Sequence, residues 1–476
     1  MARQSFSRLI TGRALLGPGA VVVVEDDTEL TAADLDRRSN RLARELLALG
    51  VGRDDLVVVS LPTSIEFVVA CVAVWKVGAT PQPVAPSLAD DERADLERLA
   101  RPALVIGTPP RDASIPFLPQ GFTPDPRLPD AVLRDAFASS WKAPISSGST
   151  GRPKVVMANA PALLDADRPI AAFLPRRAVQ LVLSPLWHSA SFTYAFRGLL
   201  TGHRLVLTDG FDELRFVELV RRHGVTWTLL SPSMIHALIR APQREGVGSL
   251  ESVLHMGGPC AESDKRALID WLGPERVVEV YAGSESNGLT MITGTDWLIR
   301  PGSVGKPIGG TEIRIQRDDG AIASAGEVGT IWMRRGERPA YRYLGAASRR
   351  TTDGWDTLGD LGMLDADGYL TVVERVADVI GAGAQRVFPS RVEHVLEAHP
   401  DVRGAVVFGV ADRVAAVVDV GEAELDADDL RAFAGARLAP HEMPCHIDVT
   451  RRSLRNAAGK VRRSTYASLH RNPAPH

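Results

Sequence analysis

The chain contains few lysines and even fewer cysteines, and both shortages narrow what it can be. Its three cysteines, Cys71, Cys260 and Cys445, are too scattered for a disulfide framework or a zinc site. A reducing compartment suits such a chain, and we expect a cytoplasmic location. Only six of the 55 basic residues are lysines, so a lysine in a glycine-containing loop is a candidate for a dedicated role. Lys154 and Lys460 are such residues.

Long apolar runs and a strong charge excess are also missing. The most hydrophobic stretch, residues 56–77, is interrupted by Pro62, Thr63, Ser64 and Glu66, which predicts a buried strand followed by a helix rather than a membrane span. The first thirteen residues have no apolar segment of signal-peptide type. A net charge of -3 gives no reason to expect a nucleic-acid partner. We expect a monomer or homodimer, and the sequence does not decide between them.

The order of strand and helix signals predicts an α/β fold with mostly parallel sheets. A chain of 476 residues exceeds a single hydrophobic core. Apolar strand-like runs alternate with helix-patterned segments through the first 231 residues, which favours a doubly wound, multi-layer architecture. A boundary is predicted near Arg375. It separates a large N-terminal domain, residues 1–375, from a small mobile α+β C-terminal domain, residues 376–476.

One loop contains the residue types that bind phosphate groups. Glycines let backbone N–H groups approach phosphate oxygens, hydroxyls add donors and a lysine adds positive charge. The loop differs from a Walker A loop because Val155 and Val156 follow its lysine and favour a strand. Alone, such a loop is more often only a turn. Its residues are Ser146, Ser147, Gly148, Ser149, Thr150, Gly151, Arg152, Pro153 and Lys154.

Further segments follow this loop in a specific order. They are His255-Met256-Gly257-Gly258-Pro259, Tyr281-Ala282-Gly283-Ser284-Glu285, Gly302-Ser303-Val304-Gly305-Lys306-Pro307, residues 355–361 and Gly459-Lys460. Together with the loop, they resemble the adenylate-forming superfamily of acyl-CoA synthetases, peptide-synthetase adenylation domains and luciferases. The resemblance extends from Leu30 to Lys460. Residues 185–192 resemble the acyl-CoA ligase version of the segment that walls the acyl pocket, and the aspartate that peptide-synthetase domains usually place in this region for an α-amino group is absent.

The resemblance implies a role for each matching residue. Such enzymes activate a carboxylate by attack on the α-phosphorus of ATP, and the site must supply positive charge and amide dipoles. In isolation, Glu285 could be a surface carboxylate and Asp360 a turn residue; their matching positions favour the functional roles. The implied roles are phosphate binding by Ser146, Ser147, Gly148, Ser149, Thr150, Gly151 and Lys154, α-phosphate contact by Ser284, Mg²⁺ binding by Glu285, an adenine slot at Gly257, Gly258, Pro259 and Tyr281, ribose contacts by Asp360 and Arg375, and catalysis by Lys460.

The acyl pocket and the thiol side match less closely. The resemblance implies pocket roles for His188, Phe192, Ala282 and Gly283, while Trp227 and Leu230, and equally Phe192, are either pocket walls or core. Ala282 stands where the family usually has glycine, and Ala377 occupies the hinge position. On the side implied for coenzyme A, Gly383 is present, but Ala384 and Arg386 depart from the pattern. Leu454 replaces a proline, and Glu442 stands where a lysine is frequent.

The implied activity is that of an acid–thiol ligase using ATP, Mg²⁺ and coenzyme A. Its substrate would be a hydrophobic carboxylic acid without an α-amino group. An alternative within the same chemistry passes the acyl group to a carrier protein, an amine or another nucleophile. An alternative of another class is a nucleotide-binding pseudoenzyme or regulatory partner, against which the presence of Lys154, Lys460 and Glu285 argues.

Overall fold

The computed structural model describes residues 3–147, 153–242, 244–381, 385–454 and 463–471. Several residues singled out above lie outside this range, namely Gly148, Ser149, Thr150, Gly151, Arg152, Gly383, Ala384, Gly459 and Lys460.

The described residues form strands and helices throughout the chain. In chain order, the strands β1 to β25 are Gln4–Ser5, Val21–Glu25, Thr28–Thr31, Leu56–Ser60, Thr80–Pro83, Leu104–Gly107, Phe117–Pro119, Ile145–Ser147, Pro153–Ala158, Leu163–Leu164, Val179–Val182, Arg204–Leu207, Trp227–Leu230, Ser252–His255, Val277–Ala282, Leu289–Thr293, Lys306–Pro307, Thr311–Gln316, Gly329–Arg335, Tyr341–Leu344, Asp360–Leu364, Leu370–Arg375, Gly404–Val410, Arg413–Asp419 and His446–Thr450. The helices α1 to α12 are Phe6–Leu16, Ala32–Ala48, Ile65–Lys76, Asp90–Ala100, Ser189–Thr201, Glu213–His223, Pro232–Arg240, Glu262–Leu272, Gly294–Ile299, Pro389–Glu397, Ala427–Gly435 and Arg463–Arg471.

A nine-stranded sheet forms the centre of the large N-terminal domain. Its strand order is β17-β16-β15-β14-β13-β11-β12-β2-β3. The strands from β15 to β2 in this order pair in parallel, whereas β16, β17 and β3 pair antiparallel at the edges. Strands β13 and β14 are buried along their whole length, as expected for parallel strands covered on both faces. The predicted α/β class is confirmed.

A second, parallel sheet has the order β5-β4-β6-β7. The hydrophobic stretch at residues 56–77 contributes β4 and then α3, which confirms the predicted strand and helix. Helix α3 is apolar on nearly all sides, and all of its residues except Glu66 are buried. A helix of this kind is stable only inside a core. No helix in the described part of the chain is long and apolar enough to cross a bilayer.

Three antiparallel sheets complete the large domain, with orders β1-β10, β20-β9-β8 and β18-β19-β21-β22. The turn between Leu364 and Leu370 connects β21 to β22. Individual strand signals do not reveal how the other strands of these sheets pair.

A small α+β domain follows at the C-terminus. Its sheet has the order β23-β24-β25, with helices α10, α11 and α12 packed against it. The guanidinium of Arg463 binds Asp378 at 3.0 Å and Glu393 at 2.7 Å. It therefore ties α12 both to α10 and to the short 3-10 turn Val376–Asp378 that follows β22.

Candidate active site

A cavity of about 1840 Å³ lies at the carboxyl ends of the parallel strands of the nine-stranded sheet. The residues that directly follow β13, β14 and β15 line it: Ser231, Met256 and Gly283. Open α/β sheets bind their ligands at this edge. The site therefore occupies the position that the fold provides for a ligand.

The phosphate-type loop joins two antiparallel strands. Ser146 in β8 pairs with Lys154 in β9, and both residues line the cavity. This confirms the prediction that the loop connects strands rather than opening a helix. Residues 148–152 lie outside the described range, so their predicted contacts with phosphates stay predictions.

Lys154, Tyr343 and Glu285 form a connected polar group in the cavity wall. The Lys154 ammonium donates to the Tyr343 hydroxyl at 2.9 Å, and that hydroxyl donates to Glu285 Oε1 at 2.6 Å. The ammonium lies 3.8 Å from the same carboxylate oxygen and 4.0 Å from the centroid of the Tyr343 ring. Burial lowers the pKa of Lys154 although Glu285 opposes the shift, while burial and the Glu285 charge raise the pKa of Tyr343.

Gly283 has a steric reason to be glycine. A β-carbon at this position would lie 2.5 Å from Leu358 Cδ2 and 2.8 Å from Glu285 Oε2. Any side chain would therefore displace the carboxylate from its position beside Tyr343. Ser284, the next residue, also lines the cavity.

A second polar group surrounds Asp360, which is buried. The Tyr281 hydroxyl donates to Asp360 Oδ2 at 2.6 Å, and Arg375 Nε lies 3.4 Å from Asp360 Oδ1. Asp360 and Arg375 are paired neighbours on β21 and β22. Burial, followed by the Asp360 charge, raises the pKa of Tyr281. Residues 79 positions apart in the sequence are thus joined in one cluster.

The segment after β14 leaves open space at the cavity edge. Gly257 has a φ of +101°, a backbone conformation that favours glycine, and no atom lies within 4 Å of a β-carbon built there. At Gly258, the nearest atom to such a β-carbon is Pro232 Cγ at 3.9 Å. Both glycines and Pro259 line the cavity, so the structure has room for a flat ring next to their backbone.

Most residues predicted for the acyl pocket line the cavity, with one correction. His188 and Ala282 border it, and the His188 ring centroid lies 4.0 Å from that of Trp187. Phe192 was expected in the pocket, but this prediction is wrong. Its side chain has no exposed surface and packs against Phe67, Trp75, Trp141 and Phe196 in the core. Trp227 and Leu230, left open by the sequence, are likewise core residues.

On the side assigned to the thiol, Arg386 forms an ion pair with Asp318 at 3.4 Å. Arg386 is not among the residues that line the cavity. Ala377, the hinge candidate, lies in the 3-10 turn that directly follows β22 and borders the cavity.

Sequence reasoning missed three polar side chains in this cavity. Tyr343 connects Lys154 to Glu285, and Lys142 and Arg197 lie on the cavity wall. The alternation Tyr341-Arg342-Tyr343 was the available signal for Tyr343, because it predicts a strand with both tyrosines on one face. The sequence contained no comparable signal for Lys142 or Arg197.

Comparisons with known proteins agree with this geometry. The family model described as AMP-binding enzyme matches residues 13–136 and 144–343, and the AMP-binding enzyme C-terminal domain matches residues 391–460. The long-chain-fatty-acid–CoA ligase FadD13 of Mycobacterium tuberculosis is 25% identical, over 95% of this chain and 96% of its own. Feruloyl-CoA synthase from an Amycolatopsis species is 28% identical, over 97% and 98% of the two chains.

Solved structures show the same fold. A variant of the amide bond synthetase McbA from Marinactinospora thermotolerans has a TM-score of 0.82 and 25% identity, covering 98% of this chain and 99% of its own. The o-succinylbenzoate–CoA synthetase MenE of Bacillus subtilis, in complex with ATP and magnesium, has a TM-score of 0.79 and 23% identity, covering 97% and 99%. Both family models match in order, and Lys154, Tyr281, Glu285, Asp360 and Arg375 line one cavity. The chain therefore belongs to the AMP-binding enzyme family, the adenylate-forming superfamily that its sequence resembles.

Proposed function

We propose that this protein uses ATP to convert a carboxylic acid into an acyl-adenylate and then transfers the acyl group to the thiol of coenzyme A. The observation that carries this proposal is the pair of polar groups on one cavity, Lys154–Tyr343–Glu285 and Tyr281–Asp360–Arg375. The first supplies a cation and a carboxylate for a polyphosphate and its metal. The second supplies a carboxylate for the hydroxyls of a ribose.

The residues present suit a nucleotide bound with Mg²⁺. Hard oxygen ligands such as carboxylates suit Mg²⁺, which usually takes few protein ligands together with phosphate oxygens. The buried carboxylate of Glu285 would hold the ion, which when bound neutralises phosphate charge. Lys154 would contact the β- and γ-phosphates together with the Ser146–Gly151 loop, and Ser284 the α-phosphate. Gly257, Gly258, Pro259 and Tyr281 would border the adenine.

In the first half-reaction, a carboxylate oxygen of the acid attacks the α-phosphorus and pyrophosphate leaves. Both reactants are anions, so the residues must reduce their repulsion and hold them in line. We assign this work to Lys154 and, from the C-terminal domain, to Lys460. In the second half-reaction, the thiol sulfur attacks the acyl carbon and forms a thioester. The bond between that carbon and the phosphate oxygen breaks, and AMP leaves.

We further propose that residues 376–476 act as a lid that changes orientation between the two half-reactions, with the pivot at Ala377. A cation near the α-phosphate assists the first step, whereas the second needs an open path for the thiol. Few-residue hinges commonly allow such changes. Gly383, Ala384 and Arg386 would lie beside the thiol path when the lid is turned. The scarcity of cysteine and the absence of a membrane-spanning helix among the described residues are compatible with our proposed cytoplasmic location.

Pyrophosphate release across a panel of carboxylic acids, with and without coenzyme A, tests the proposal. We expect release that requires ATP, Mg²⁺ and an acid, with acyl-CoA formed when coenzyme A is present. Hydrolysis of ATP to ADP, or no acid-dependent release with any acid, would contradict it.

A second candidate keeps the adenylate and replaces the thiol by an amine. The likeness to the amide bond synthetase McbA favours it, as do Ala384 and Arg386, which depart from the pattern of coenzyme A ligases. Accumulation of acyl-AMP in saturating coenzyme A, followed by amide formation on adding an amine, would select this candidate. An acyl carrier protein can be tested as acceptor in the same assay.

A further inference from the structure

Two cationic side chains lie on the cavity wall without a carboxylate partner. Lys142 is 4% exposed, and its ammonium donates to the hydroxyls of Ser189 at 3.0 Å and Thr193 at 2.7 Å. Arg197, on the same helix α5 as these hydroxyls, borders the cavity as well. Among the described residues, no carboxylate oxygen lies within 4.0 Å of the charged nitrogens of Lys142 or Arg197.

Other buried lysines of the described chain are paired differently. Lys76 lies 2.7 Å from a carboxylate oxygen of Asp36, and Lys265 contacts the carboxylate of Glu279. Lys142 has only neutral hydroxyls. Burying a charge without a counter-ion is strongly unfavourable, so proteins usually pair it. Burial, followed by the positive charge of Arg197, lowers the pKa of Lys142 to about 7, and the Glu285 carboxylate, more than 4.0 Å away, only partly opposes the shift.

The surroundings of Arg197 are equally short of negative charge. Burial lowers its pKa, and the positively charged Arg335, which also borders the cavity, acts in the same direction. Tyr194 lies one helical turn before Arg197, so both side chains lie on the same side of α5. The Tyr194 ring packs against Trp227 with centroids 6.0 Å apart.

Apolar side chains that pack in one hydrophobic cluster with Tyr194 also line the cavity. They are Ile170, Phe173, Leu229, Met256, Leu289 and Met291. A few polar groups in an otherwise apolar pocket fix how a ligand is oriented. A cation at such a place binds an anion well, and a guanidinium can bind both oxygens of one carboxylate.

We propose that Arg197, supported by Lys142, binds a second anionic group of the acid, so that the substrate is a dicarboxylic acid with an apolar scaffold. The inference rests on the proposed function and specifies its substrate class. One carboxylate reacts at the α-phosphorus, and the other supplies the missing counter-charge in the pocket. The apolar lining contacts the scaffold between the two.

Matched acids of nearly equal shape test this subsite. The pairs are 4-carboxycinnamate with 4-nitrocinnamate, and pimelate with heptanoate; in each pair only the first acid has a second carboxylate. The measurement is kcat/KM for acid-dependent pyrophosphate release by the full-length protein. We expect the wild type to favour a diacid over its partner. The ratio of diacid to monoacid should fall about 10- to 100-fold in Arg197→Met, the scale of a lost hydrogen-bonded charge.

Two further variants sharpen the result. Arg197→Lys keeps the positive charge but lacks the planar guanidinium, so its ratio of diacid to monoacid kcat/KM should lie between those of the wild type and Arg197→Met. Arg221→Met, an exposed arginine on α6, is the matched control and should leave the ratio unchanged. The comparison of acids in the wild type needs no variant and tests the inference even if Arg197→Met does not fold.

The outcomes are distinct. Preference of the wild type for the monoacids, or an equal loss for both acids in Arg197→Met, would overturn the diacid subsite while leaving adenylate formation intact. If neither the diacids nor the monoacids stimulated pyrophosphate release, both the proposed function and this inference would be overturned.

Discussion

At the scale of single residues, Tyr343 organises the charges of the site. Its hydroxyl accepts from Lys154 and donates to Glu285, and its ring lies under the Lys154 ammonium. A tyrosine can hold both partners because a hydroxyl is donor and acceptor at once. Lys154 and Glu285 are therefore held apart and oriented before a ligand arrives.

Replacing Glu285 by glutamine keeps the shape of the side chain and removes its negative charge. We expect ATP–pyrophosphate exchange to fall at least about 100-fold, the scale of one lost electrostatic stabiliser. Urea unfolding should remain cooperative. Exposed Glu251→Gln is the control and should exchange normally. Normal exchange in Glu285→Gln would show that this carboxylate does not take part.

Replacing Tyr343 by phenylalanine keeps the ring beneath Lys154 and removes the hydroxyl between the two charges. We expect pyrophosphate exchange to fall about 10-fold, as for one hydrogen bond to a charged group. Tyr341→Phe is the matched control on the same strand, because its hydroxyl binds Asp356 at 2.8 Å instead. Equal effects of the two variants on exchange would mean that Tyr343 acts only on stability.

Single residues also show which parts of the site could be predicted from the sequence. Ordered motifs brought Lys154, Glu285, Tyr281, Asp360 and Arg375 into one predicted site, and the structure places them around one cavity. Tyr343 was missed because its partners are 189 and 58 positions away. Contacts between such distant residues depend on sheet pairing, which local patterns do not reveal.

At the scale of elements, helix α5 explains why Phe192 was misplaced. Phe192, Ala195, Phe196 and Leu199 recur at helical spacing and belong to the large hydrophobic core. The opposite side of the helix faces the cavity with Ser189, Thr193, Tyr194 and Arg197. The motif that begins with His188 was assigned as one unit, although a helix divides its residues between two environments.

Lys142, beside α5, should make stability depend on pH. Its pKa of about 7 in the folded protein lies below the ordinary 10.5. Between these values the unfolded chain binds more protons, so this lysine makes the free energy of unfolding rise with pH. The full cost of burying its charge is present below pH 7. Lys142→Met should therefore stabilise the free protein by about 1–4 kcal/mol at pH 6 and by less at pH 9.

Urea unfolding at both pH values measures this difference. Lys306→Met, which replaces an exposed lysine, is the control and should show no such change. A Lys142→Met variant that is less stable at pH 6, or equally affected at both pH values, would contradict the assignment of an uncompensated buried charge.

At the scale of the whole molecule, the alternation of strands and helices predicted the parallel sheets. Most parallel strands, such as β4, β6 and β11, are short apolar runs with turn residues around them, so their signal is local. The antiparallel sheets are less visible because pairings such as that of β20 with β9 join strands that lie far apart in the chain. The cavity arises where these sheets meet the carboxyl edge of the nine-stranded sheet, and no single segment encodes it.

The two half-reactions should respond differently to changes in the C-terminal domain. Lys460→Ala should abolish acyl-AMP formation and leave conversion of supplied acyl-AMP to acyl-CoA nearly intact. Ala377→Pro fixes φ at the proposed pivot and should impair the overall reaction. Each half-reaction is measured separately by product analysis. If Lys460→Ala changed neither half, the lysine would be a solvated bystander, and loss of both halves would indicate structural damage.

The transfer of an oxygen atom tests the central claim, formation of an acyl-adenylate, most directly. The wild-type protein is incubated with Mg²⁺, ATP, coenzyme A and an accepted acid whose carboxylate carries ¹⁸O. A carboxylate oxygen forms the bond to the α-phosphorus and remains there when the thiol takes the acyl group. Mass spectrometry should therefore find one ¹⁸O in AMP and none in pyrophosphate. Unlabelled AMP, or ¹⁸O in inorganic phosphate formed together with ADP, would contradict the account.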